Sequence, residues 1–90
     1  MAKNENKYTI KKSCKHTFIF KHDDTAPELL HIFARHLTNP EDAITTFFTG
    51  ETKWNEKNKR FETKTETHKV FWLWIDEKHK KVLIISCFLI

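Results

Sequence analysis

Along the chain, the spacing of apolar positions changes near Gly50 from the period of a helix to that of a strand. Leu29, Leu30, Ile32, Phe33, Ala34 and Leu37 form an apolar arc at helical spacing. Ahead of them, Thr25-Ala-Pro-Glu28 reads as a capping box, with Thr25 as N-cap, a proline in the first turn and Glu28 able to reach back. This helix should stop before Asn39-Pro40, because proline disfavours helical backbone in the residue ahead of it. The same pair opens a second helix. Asn39 is a good N-cap, Pro40 fits the first helical position, and Glu41 and Asp42 complement the positive end of the dipole. Ala43, Ile44, Phe47 and Phe48 supply its buried side, and Gly50 is the natural residue just past its end.

Beyond Gly50 the period is 2. Glu51–Trp54 reads as a short strand and Asn55–Lys59 as a polar loop. Arg60–His68 alternates strictly, with Phe61, Thr63, Thr65 and Thr67 on one face and Glu62, Lys64, Glu66 and His68 on the other, as in a half-exposed strand. Lys69–Ile75 is apolar on both faces, which marks a central strand covered twice or lining a cleft. Asp76–Lys80 is a charged turn, and Lys81–Ile90 is another nearly all-apolar strand. Before the helices, Tyr8–Lys11 and His16–Phe20 alternate in part and read as short strands or extended arms, with residues 1–7 frayed. The expected fold class is α+β in a single domain, residues 1–90. Two N-terminal helices (25–49) pack on a C-terminal antiparallel sheet of about four strands (51–90).

Composition adds the means of burial. Eight Phe and three Trp give a short chain the apolar volume it needs, and one Gly with two Pro argues against a loop-rich scaffold. Two widely separated cysteines, Cys14 and Cys87, are too few for a disulfide framework and read as reduced thiols. Cys14, His16 and His22 lack the paired spacing of zinc motifs, so neither a metal nor a cofactor is expected. The N-terminus is polar and basic, without the apolar stretch of a signal peptide. The apolar run VLIISCFLI falls well short of the about 20 residues needed to span a bilayer. A soluble protein acting in a cytoplasm is expected. The net charge of +4 is unevenly spread, with Lys53, Lys57, Lys59, Arg60, Lys64 and Lys69 following the second helix. Such a patch suits a polyanion, but on charge alone a solubilising surface is the reading that stands ahead.

Candidate chemistry centres on His31-Ile-Phe-Ala-Arg35-His36. In a helix His31 and Arg35 lie roughly 40° apart on the polar flank, while His36 points elsewhere, toward the apolar arc. Two imidazoles and a guanidinium within about one and a half turns would suit the cleavage of RNA. One imidazole takes the proton of a 2′-hydroxyl, another protonates the leaving 5′-oxygen, and Arg holds the phosphorane's charge. The plain alternative is a core-edge His36 bonded to backbone beside a solvated His31/Arg35 flank.

The string HIFARH resembles the HIxxRH signature of small RNase toxins of the barnase–EndoU–colicin–RelE superfamily. The order of elements that follows is also similar, down to a last strand containing Ile85-Ser86-Cys87-Phe88. The resemblance covers roughly residues 25–88, and only HIFARH and the Ile-Ser-x-Phe ending are specific. It implies His31, Arg35 and His36 as helix-borne catalytic residues and Ser86 as a strand hydroxyl near the phosphate. Phe88 stands where many members carry tyrosine. The implied activity is metal-independent RNA cleavage, with tRNA a typical substrate, and the implied partner is an acidic antitoxin or immunity protein. Candidate RNA contacts are Trp54, Lys59, Arg60, Lys64 and His68, with Trp54 as a stacking residue beside the basic loop. Two rival readings use the same features. One is a non-catalytic binding or inhibitor module with a basic surface. The other is a helix-turn-helix DNA binder, disfavoured because the second helix has acids at its start and no Lys or Arg.

Overall fold

Both alternating segments before the helices are strands, and they enlarge the sheet beyond the expected one. The computed structural model describes residues 8–23 and 30–90, with the backbone alone for 33–35. In chain order the elements are β1 (Tyr8–Ser13), β2 (His16–Lys21), α1 (His31–His36), α2 (Pro40–Thr49), β3 (Glu51–Asn55), β4 (Arg60–Lys64), β5 (His68–Asp76) and β6 (Lys81–Leu89). The strands form one sheet in the order β1-β2-β6-β5-β4-β3. Every neighbouring pair is antiparallel except β2 and β6, which run parallel. Two helices over a four-stranded antiparallel sheet is therefore the wrong architecture. The fold is a mostly-sheet α+β fold with six strands in a mixed sheet, and α2 is its one described helix of more than two turns.

The physical reasons are local. β1 and β2 join through Cys14 and Lys15, both at positive φ (49° and 68°). That is the backbone of a tight hairpin, normally signalled by Asn-Gly, and neither residue announces it. The expected strand Arg60–His68 is two strands. Thr65 Oγ1 accepts from the backbone N–H of Thr67 (3.3 Å) and of His68 (3.0 Å), and this hydroxyl folds the chain back between Lys64 and His68. Threonine's preference for strands hid the turn. α1 is shorter than its apolar arc: Leu30 is held in a bridge with His22, and Leu37 turns left-handed at φ 56°. The capping box at Thr25–Glu28 lies outside the described residues.

α2 matches its signals at the start. Asn39 Oδ1 accepts from Asp42 N at 3.0 Å, and Asp42 Oδ2 accepts from Asn39 N at 3.1 Å, a reciprocal cap. At its end Gly50 is extended (φ −87°) rather than left-handed. Glycine is needed there for room. A Cβ would lie 2.6 Å from the Lys64 carbonyl oxygen and 2.8 Å from Thr63 Cγ2. The helix thus enters β3 pressed against β4.

The core lies between the helices and one face of the sheet. Phe18, Phe20, Val70, Trp72, Val82, Ile84 and Cys87 meet Ile32 of α1 and Ala43 of α2. Phe47 of α2 packs edge-on to Trp72 (4.7 Å) and Phe61 stacks on it (4.5 Å). The buried indole N–H donates to Thr63 Oγ1 at 2.8 Å. Trp72 is thus a core residue. A β-bulge in the β5–β6 pairing inserts Ile85 and shifts the alternation, so Ile84 and Cys87 both face the core. No helix among the described residues is long and apolar enough to cross a membrane.

Gly50→Ala should destabilise the fold by about 1–3 kcal/mol, because the methyl group meets backbone that cannot swing aside; urea unfolding measures it, and an unchanged midpoint would refute the close-approach account. Cys14 is exposed, whereas burial pushes the Cys87 thiol up to about 11, its bond with Thr38 only partly offsetting this. Titration with a thiol reagent at neutral pH should therefore show one fast cysteine, lost in Cys14→Ser, and one that reacts only on unfolding.

Candidate functional site

Alternation along the strands sends a second set of side chains to the face that no described helix covers. On β3 these are Glu51, Lys53 and Asn55; on β4, Arg60, Glu62 and Lys64; on β5, Lys69 and Phe71. The bulge at Ile85 puts Ser86 opposite Phe71 and Phe88 opposite Lys69, on this same face. β2 pairs with β6 only as far as Ile84. Beyond that point the end of α1 lies against β6, where the buried Thr38 hydroxyl donates to Cys87 O at 2.7 Å.

Contacts run continuously from α1 across the sheet. The His31 ring lies 6.3 Å from the His36 ring, and His36 lies 5.5 Å from Phe88. Phe88 packs edge-on to Phe71 at 5.2 Å, and the Arg60 guanidinium sits 3.6 Å over the Phe71 ring. Arg60 Nε donates to Glu62 Oε2 (3.0 Å), Asn55 Nδ2 donates to the same oxygen (2.8 Å), and Lys69 Nζ lies 3.3 Å from Oε1. Burial works against the Glu62 carboxylate, but the bonds from Asn55, Arg60 and Lys69 outweigh it and hold its pKa below the ordinary value. Lys53, Lys64 and Lys69 with Glu51 and Glu62 enclose a concavity of about 160 Å³. Four cations against two carboxylates leave this end of the face basic.

Behind His31 the ring's Nδ1 is 3.4 Å from Oδ1 of Asp23, whose side chain is 1 % exposed. A cavity of about 290 Å³ opens there between the end of β2 and α1, walled by Leu83, Ile84 and Ile85 of β6.

The structure gathers part of the residue set drawn from the sequence. His31 and His36 are neighbours although about 140° of helix separates them. His36 is exposed and turned to Phe88, not into the apolar arc. Ser86, Arg60 and Lys64 share the open face. Arg35 lies on α1, with its side chain outside the described atoms. The remaining three lie elsewhere. Trp54 packs on Phe61 on the helix side of the sheet. His68 lines a groove with Glu41 and Asp42 of α2, on a different strand from Lys64 rather than on a shared face. Lys59 sits in the β3–β4 turn, paired with Glu56. Asp23, Glu62, Lys69, Phe71 and Phe88 were not singled out as site residues. Only pairing partners distant in sequence show that Phe71 and Phe88 meet.

Comparison with known protein families, curated proteins and solved structures gives no match for this chain.

Glu62 supplies a pH test of the cluster. Its pKa is lower folded than unfolded, so its stabilisation is fully present above the ordinary value of 4.5 and is lost as pH falls through the folded value. Wild type should melt above Glu62→Gln at pH 6, with the gap closing toward pH 3; a gap that stays constant would mean the ionised carboxylate contributes nothing.

Proposed function

We propose that this protein is a metal-independent endoribonuclease of the toxin kind, cleaving RNA by attack of a 2′-hydroxyl on the adjacent phosphate. The observation that carries the reading is the pair of imidazole rings 6.3 Å apart at the rim of a basic face with aromatic rings. Transesterification needs a proton acceptor at the 2′-oxygen and a proton donor at the 5′-oxygen, and neighbouring histidines can hold both states near neutral pH. Phe88, Phe71 and the Arg60 guanidinium over Phe71 offer planar surfaces to unpaired bases. Lys53, Lys64 and Lys69 can receive the flanking phosphates, and the Ser86 hydroxyl faces the same side. The HIFARH string, which resembles the motif of RNase toxins, supports the same assignment.

The chemistry is balanced without a metal. The 2′-oxygen bonds to phosphorus and gives its proton to one imidazole; the P–O5′ bond breaks and the 5′-oxygen takes a proton from the other. The products are a 2′,3′-cyclic phosphate and a 5′-hydroxyl. Arg60 on the open face supplies a guanidinium for the phosphorane, and the resemblance implies the same task for Arg35. If the protein is such a toxin, an acidic antitoxin or immunity protein should cover this basic face, and a cytoplasm is its site of action.

The test is incubation of the purified protein with total cellular RNA in excess EDTA. Cleavage should leave 2′,3′-cyclic ends, and His31→Ala and His36→Ala, folded by circular dichroism, should each slow it about 10²–10⁴-fold. Intact RNA from about pH 5.5 to about pH 8 would overturn the proposal. A pull-down that recovers a partner equally well with both histidine variants would then identify a binding module.

A further inference from the structure

The two histidines sit in different surroundings, and the difference assigns their roles. His36 is exposed and bordered by Phe88 and His31. His31 has a buried carboxylate behind it, Asp23 Oδ1, 3.4 Å from Nδ1. Among the described residues, few groups surround His31. Lys21, His22 and Asp23 face it from the end of β2, His36 stands on its own helix, and β6 contributes only the aliphatic Leu83, Ile84 and Ile85. His22 Nε2 is engaged with Thr9 Oγ1 at 2.7 Å.

We infer that Asp23 is the positioning residue of His31 and makes it the proton acceptor of the reaction, leaving His36 as the donor. This rests on the ribonuclease reading for its consequences, but the pairing itself belongs to the resting protein. A carboxylate at Nδ1 selects the tautomer with the proton on that nitrogen. Nε2 then carries the lone pair and points away from Asp23. When Nε2 takes the 2′-hydroxyl proton, the ring becomes cationic beside the buried carboxylate of Asp23. His36 has no described carboxylate beside it and delivers its proton to the departing 5′-oxygen, so proton count is conserved over the step.

Two measurements test this independently. The first uses unmodified protein: ¹⁵N spectra of the imidazoles above the pH at which they are neutral should show His31 with its proton on Nδ1. A proton on Nε2, the form favoured by free imidazole, would overturn the pairing whether or not the protein cuts RNA. The second is kinetic. Asp23→Asn should lower kcat on the order of 10²-fold with KM unchanged, and should add nothing in a His31→Ala background. An equal loss in both backgrounds would mean that Asp23 serves only the fold. If wild type does not cleave RNA, the ribonuclease reading fails, while the spectra still decide the pairing.

Discussion

The ladder between β5 and β6 fixes which side chains are core and which are surface, and its bulge is the critical detail. Without the extra residue at Ile85, period-2 alternation from Val82 and Ile84 would carry Ser86 and Phe88 into the core and turn Cys87 outward. With it, Cys87 joins Val70 and Ile84 beneath the helices, and Ser86 and Phe88 reach the opposite face beside Phe71. A single inserted residue therefore builds the aromatic part of the candidate site and completes the core in the same stroke.

The sheet is used differently on its two faces. One is filled by Phe18, Phe20, Trp72 and their helical partners, dry enough to raise the Cys87 thiol. The other holds charges close together, and Glu62 keeps Arg60 and Lys69 in place through paired bonds rather than leaving them to repel. A carboxylate so placed lowers the net charge of the face but fixes the guanidinium on Phe71. Orientation of a cation is gained where bare attraction for a polyanion is reduced.

α1 stands where these two faces meet. It occupies the side of β6 that β2 leaves unpaired, so its buried Ile32 belongs to the core while His31 and His36 reach the rim. Asp23, at the end of β2, becomes a neighbour of His31 because Leu30 bridges back to His22 and draws the start of α1 alongside. The different surroundings of the two histidines follow from that bridge.

The sequence by itself determined what depends on near neighbours. The second helix with Asn39 as its N-cap, the change to strand period after Gly50 and the charged turn at Asp76–Lys80 were legible. Local patterns are sufficient there because caps, turns and periodicity act within a few residues. Tertiary structure decided the joining of the strands into one mixed sheet, the parallel junction of β2 with β6 and the face on which Ser86 and Trp54 lie. Each of these is set by pairing between segments far apart in the chain, where a one-residue shift in register moves a side chain through the sheet. The strand pattern around Trp54 and Lys53 was plain, but only their pairing with Phe61 and Glu62 shows which of them faces the basic side.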